Sequence, residues 1–311
     1  MKGDDDMKRL LDCNASDFIN MTGQDLKQSI KASEGRTMLA ETMATVPPLY
    51  PDVTNAELTA SFGADLLLFN VFDVFHPEVR GYTPSNPDQV IHEIKRLTGR
   101  PVGLNLEPVD LNAKQIETLD VVDRGRIASE EALAQAKALG FDFICLTGNP
   151  KTGVTNAEIT NAIRRAHAVF GSDALIIAGK MHGAGVTNET GSGIISESAL
   201  DAFIDAGADV ILMPSPGTVP GITTEDAQKY VSYVHLKGAL AMLTIGTSQE
   251  GADASTIRQI ALAAKMAGAD IHHIGDAGFY GIAVPENIMT YSITIRGRRH
   301  TFVRMARSIN R

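Results

Sequence analysis

SFGAD at 61–65 runs straight into LLLFN, LGFD at 139–142 into FICLTG, DAGAD at 205–209 into VILMP, and MAGAD at 266–270 into IHHIG. In each phrase a helical stretch stops at glycine and a short apolar run follows at once. Glycine takes the left-handed conformation that ends a helix without a Cβ clash, so Gly63, Gly140, Gly207 and Gly268 read as C-caps leading into buried strands. Four helix-to-strand joints therefore share one construction.

Four further apolar runs lie between them: TMLAE after Gly35, PVGLNLE after Gly99, ALIIAGK after Gly171 and ALAMLTIG after Gly238. Interleaved, the two sets predict strands at 37–43, 65–73, 101–107, 142–148, 173–181, 209–214, 240–246 and 270–275. Apolar residues at helical spacing predict helices at 89–97, 129–139, 156–170, 196–206, 224–236 and 255–267. Strict alternation implies a parallel sheet covered on both faces, because parallel neighbours need a crossover. Eight units imply closure, and no G-x-G-x-x-G follows the first strand as an open dinucleotide-binding sheet would require. The expected fold is an α/β (β/α)8 TIM barrel at 36–311, including C-terminal helices. A helical extension at 1–35 precedes it, with segments at 15–21 and 23–33 that would cover the barrel's N-terminal end or pack on a neighbouring subunit.

With 311 residues, 44% of them hydrophobic, the chain is long enough for one barrel with additions. Its net charge of −9 argues against nucleic-acid and membrane partners, which are bound through basic patches. Asp4, Asp5 and Asp6 make the start acidic. Arg296, Arg298, Arg299, Arg304, Arg307 and Arg311 make the end basic, which suits a solvated last helix or a subunit contact. The two cysteines, Cys13 and Cys145, form no C-x-x-C pair, and the N-terminal run lacks the pattern of a signal peptide. A cytoplasmic homo-oligomer is expected.

Barrel sites are built from strand C-termini and the loops after them. Glu41, Asp73 and Glu107 end the first three strands, an incomplete oxygen set of the kind that suits Mg²⁺ or Mn²⁺ once substrate and water complete the octahedron. No organic cofactor is indicated. Lys180 leaves an apolar strand, so it is either a charged anchor or a Schiff-base nucleophile, with His182 as base, ligand or loop residue. Asp276 completes the catalytic candidates Lys180, His182 and Glu107. Asn70, Arg80, Asn105, Thr147 and Ser215 are candidate substrate contacts. Gly246, Thr247, Gln249, Gly275 and Gly278 follow strands seven and eight, where barrels of this kind frequently hold phosphate. His272 and His273 must face opposite sides of the sheet.

LLDCNASDFINMTGQDLKQSIKASEGRT at 10–37 leading into AETM, with LTGNPKTGVTN, AGKMHGAG, GTSQEGAD and GDAGFYG, resembles a bacterial family of uncharacterised barrel proteins loosely described as similar to phosphoenolpyruvate phosphonomutases. The phosphonomutase and isocitrate-lyase group carries Gly-Asp-Ser after its second strand, paired aspartates after its third and a Lys-Lys-Cys-Gly-type gating loop. Here the corresponding places read Asn70-Val-Phe-Asp73 and Asn105-Leu-Glu107, and no Lys-Lys-Cys exists. The expected activity is a lyase or isomerase acting on a small anionic metabolite, phosphorylated or carboxylated, through a metal-stabilised enolate. The alternatives are a Schiff-base aldolase using Lys180 and a non-catalytic metabolite-binding or assembly barrel.

Overall fold

The computed structural model describes residues 7–311 apart from 116 and 188; the run Asp4, Asp5 and Asp6 lies outside the described residues. Two helices, α1 (Ala15–Phe18) and α2 (Gly23–Lys31), come first. The alternating units follow: β1 (Thr37–Met43), α3 (Asn55–Ser61), β2 (Leu66–Asn70), α4 (Val90–Thr98), β3 (Val102–Leu106), α5 (Glu130–Leu139), β4 (Phe143–Leu146) and α6 (Asn156–Phe170). The second half runs β5 (Leu175–Gly179), α7 (Glu197–Asp205), β6 (Val210–Pro214), α8 (Thr224–Leu236), β7 (Leu240–Ile245), α9 (Ala254–Ala267), β8 (Ile271–Ile274) and α10 (Pro285–Ala306). Each strand pairs in parallel with the next, and β8 returns to β1 through Thr37 and Ile271, closing a (β/α)8 barrel.

The four repeated phrases do more than end helices. Gly63, Gly140, Gly207 and Gly268 all have positive φ. The aspartate two residues later then turns back onto the preceding strand. Asp65 accepts from Met38 N at 2.8 Å, Asp142 from Val102 N at 2.8 Å, Asp209 from Ile176 N at 3.1 Å and Asp270 from Ala241 N at 2.8 Å. Each carboxylate thus satisfies the amide that opens an odd-numbered strand while its own chain begins the even-numbered one. Each also has a cation or imidazole on it: Arg296 and Arg304 on Asp65, Lys95 on Asp142, Lys27 on Asp209 and His235 on Asp270.

Leu39, Leu66, Leu68, Phe143, Leu175 and Leu212 fill the barrel interior. Phe143 fits because Gly103 stands opposite it, where a Cβ would lie 2.1 Å from the ring. Leu10, Phe18, Leu26 and Ile30 of the N-terminal segment join the same cluster and close the barrel's N-terminal end. Gly23 permits that approach, since a Cβ there would sit 2.2 Å from the Ala174 carbonyl carbon. The C-terminal arginines are not all solvated. Arg296 and Arg304 are buried, at 2.5 and 2.7 Å from Asp65, so they anchor the last helix to the barrel. No helix among the described residues is long and apolar enough to cross a membrane.

Candidate functional site

Side chains alternate along a strand, and the interior row fixes what reaches the mouth. Leu39 is followed inward by Glu41, Leu68 by Asn70, Gly103 by Asn105 and Cys145 by Thr147. These ends line a cavity of about 520 Å³ at the C-terminal mouth, together with His182, Thr247, Glu250 and Asp276. A groove of about 630 Å³ lies at the opposite end of the barrel. Of the cations lining it, Lys95 is engaged by Asp142, Arg96 by Glu93 and Arg100 by backbone carbonyls.

Asn70 organises the floor. Its Nδ2 donates to Asn149 Oδ1 at 2.8 Å and to Asp276 Oδ2 at 3.0 Å, while its Oδ1 accepts from Asn149 Nδ2 at 3.0 Å. The Asn105 amide lies 3.1 Å from the same Oδ1. Beside this amide cluster, Glu41 Oε2 is 3.1 Å from His273 Nε2, both groups being buried. Burial, reinforced by Glu107, pushes the Glu41 carboxyl up to about 8. Burial and the nearby Glu41 likewise raise Asp276 to about 7, against the hydrogen bond from Asn70. Glu250 is raised to about 7, chiefly by burial. Burial holds His273 and His182 neutral, each lowered to about 4. Either group can be the donor between Glu41 Oε2 and His273 Nε2, and His273 Nδ1 is buried without a hydrogen-bond partner. His182 Nδ1 accepts from Ala184 N at 3.1 Å.

The cavity therefore gathers Glu41, Asn70, Asn105, Thr147, His182, Gly246, Thr247, Gly275 and Asp276 of the expected residues. Others stand elsewhere. Lys180 belongs to the outward row Ile176, Ala178, Lys180, so Met181 takes the mouth position. The Lys180 ammonium is buried against α7 and paired with Glu189. Burial lowers its pKa while Glu189 opposes the shift. Asp73 follows Val71, whose φ of 53° turns the chain out of β2. Its carboxylate accepts from Phe75 N at 2.8 Å and contacts His76 Nδ1 at 3.1 Å. Glu107 sits beneath the cavity wall, 2.5 Å from Arg126 Nη2 and 3.0 Å from Asn149 N. Arg80 pairs with Glu78 in the outer loop at 3.1 Å. Ser215 is buried outside the cavity, Gln249 Oε1 accepts from Thr247 at 2.6 Å, and Gly278 packs on Ala283.

These placements decide the fit of a divalent metal to Glu41, Asp73 and Glu107. Asp73 stands in a different loop and Glu107 is neutralised by Arg126, so the three do not form one ligand set. Among the described residues no group of three His, Cys, Asp or Glu is arranged to hold a metal. Glu250 and Arg126 escaped the sequence reading, which named Asn149 as a strand-end residue and left open which of His272 and His273 faces inward. Glu250 lies in a short 3-10 turn after β7, where no periodicity applies. Arg126 likewise lies in a 3-10 turn, Asn149 comes from the loop after β4, and His273 differs from His272 only in strand parity. His272 faces outward, its Nε2 3.1 Å from the Gly35 carbonyl.

The family model described as "Domain of unknown function (DUF7916)" matches residues 11–311. The chain belongs to that family. No curated protein matches the sequence. Among solved structures the barrel is similar to an archaeal fructose 1,6-bisphosphate aldolase, at 15% identity over 85% of this chain and 95% of that one, with a TM-score of 0.52. It is also similar to the carboxyl transferase domain of Rhizobium etli pyruvate carboxylase, at 12% identity over 96% of this chain and 53% of that chain, with a TM-score of 0.51. A 2,3-dimethylmalate lyase of the PEP mutase/isocitrate lyase superfamily matches at 18% identity over 84% and 81%, with a TM-score of 0.49. What is shared at these identities is the barrel.

Proposed function

We propose that this barrel is an enzyme of the lyase or isomerase class that moves a proton at a carbon next to a carbonyl in a small metabolite. The observation that carries the reading is the pair of buried carboxyls, Glu41 and Asp276, in one cavity with Asn70 bonded to Asp276. Asp276, raised to about 7, is ionised in part of the molecules at neutral pH and serves as the base. Glu41, raised to about 8, stays mainly protonated and serves as the acid, with His273 bonded behind it. Two carboxyls with different proton occupancies near the working pH are what acid–base catalysis at neutral pH requires. Asn70, Asn105 and Asn149 supply amide dipoles for the oxygen on which charge develops. No step is routed through a metal, because the expected ligands are not brought together. A Schiff-base route through Lys180 lacks support from its position behind the strand row and its pairing with Glu189.

The test is deuterium wash-in. Hydroxyketones and keto acids of three to six carbons are incubated with the protein in D₂O and followed by NMR. The wild type should exchange the proton beside the carbonyl in at least one compound, and Glu41→Gln and Asp276→Asn should each slow that exchange about 10²–10⁴-fold. Exchange that is absent, or unchanged in both variants, sinks the reading.

A further inference from the structure

The charge inventory of the mouth bears on the substrate, and the inference rests on this cavity being the working site. Three buried carboxyls line it: Glu41, Glu250 and Asp276. Among the described lining residues Lys151 is the lysine or arginine present, and it stands half-exposed, 3.7 Å from Glu117. Within 7–311 the positions left undescribed are Ile116 and Asn188, which bring no charge. The nearest internal cations are already matched, Arg126 by Glu107 and Lys180 by Glu189. The backbone expected to cradle an anion also has a carboxylate against it. A Cβ on Gly275 would lie 2.4 Å from Glu250 Oε1, so the Glu250 side chain fills the space beside that glycine.

The polar groups left over have a second property in common. Glu250 Oε2 and Thr147 Oγ1 are buried without a hydrogen-bond partner in residues that line the cavity. The first needs a donor when ionised and can donate when protonated, and the second can take a donor or an acceptor. Phosphate and carboxylate groups only accept and an ammonium group only donates, whereas a hydroxyl does both. An anion would also meet the partly ionised Glu250 and Asp276 with the nearest internal cations already paired, a cost that selects against it.

We propose that the mouth takes an uncharged, hydroxyl-rich carbonyl compound, of the free sugar or ketose class, and excludes its phosphate esters and acids. Carboxyls and amides on the floor bind its hydroxyls, and the carbonyl end lies by Asn70 and Asp276. Buried carboxyls with no free internal cation beside them set the selectivity.

Calorimetric titration of the full chain at pH 7 tests this with matched pairs: dihydroxyacetone, D-ribose, D-xylulose and D-glucose against their terminal phosphate esters, with gluconate and glucosamine as charged controls. At least one free sugar is expected to bind about tenfold or more tightly than its ester, a difference of ~1.4 kcal/mol. Glu250→Gln and Asp276→Asn should narrow that ratio by improving the ester, and Thr147→Val should weaken the free sugar alone. Tighter binding of an ester, of gluconate or of glucosamine overturns the proposal, as does failure of every free sugar to bind. The readout is binding, so it separates from the proton-transfer reading: sugars that bind while Glu41→Gln leaves deuterium exchange intact would remove the mechanism and keep the selectivity.

Discussion

Glu250 has its carboxylate beside Gly275 and one oxygen without a partner, and burial raises it to about 7. A carboxyl whose folded pKa lies above its unfolded value binds more protons when folded, so its stabilising contribution is complete below the unfolded pKa near 4.5 and is lost as pH rises through 7. Glu41 and Asp276 carry the same sign, to about 8 and about 7. Wild-type melting temperature should therefore fall between pH 5 and pH 8.5. Glu250→Gln removes one charge from the cluster and should flatten that slope, gaining roughly 1 kcal/mol at pH 8, or ~2–4 °C. Parallel melting curves for the two proteins across this range would show that Glu250 does not titrate as placed. The same residue marks where sequence reading stops. Glu41, Asn70, Asn105 and Thr147 were legible because they end apolar strands in the inward row. Lys180 was not, because period two places it or Met181 at the mouth according to a one-residue choice that flanking residues do not reveal.

At the scale of elements, the four Gly-x-Asp joints divide the barrel into quarters, each containing an odd strand, a helix and an even strand held by one carboxylate. Their repetition was legible as a phrase, which is why all eight strands could be found; the hydrogen bonds from the odd strands were not, since they join residues 27 to 40 positions apart. The cations on these aspartates were equally hidden, arriving from α10 at Asp65 and from α4 at Asp142. The differing partners predict an order of cost. Asp142→Ala removes an acceptor for Val102 N and leaves Lys95, a quarter exposed, bonded to the Gly140 carbonyl, which should cost ~1–3 kcal/mol. Asp65→Ala leaves Arg296 and Arg304 buried without their counter-charge, and should cost ~3–5 kcal/mol. Urea denaturation of the two variants measures the difference. Equal losses would mean that backbone carbonyls alone suffice for the two arginines.

For the whole molecule the decisive contrast is between the two ends of the barrel. The mouth keeps a polar cavity because its lining residues are charged and amide-bearing, while the opposite end is sealed by Leu10, Phe18, Leu26 and Ile30 against Leu39, Leu66 and Leu175. Those four side chains are each at most 8% exposed. At ~1.5–3 kcal/mol for each fully buried apolar side chain, they account for about 6–12 kcal/mol. That is comparable with the entire net stability of a folded domain, about 5–15 kcal/mol. The segment before β1 is therefore structurally part of the barrel, although periodicity alone left it open whether it met this barrel or a neighbour's. Deleting residues 1–34 should leave a chain that aggregates or binds hydrophobic dye at 25 °C, whereas Gly23→Ala, which forces a Cβ towards the Ala174 backbone, should fold with a loss of ~1–3 kcal/mol. A truncated barrel that stays monomeric and melts cooperatively near the full-length temperature would show that β1–β8 and their helices close the core unaided. In that case the N-terminal helices would have to be assigned a role other than sealing it.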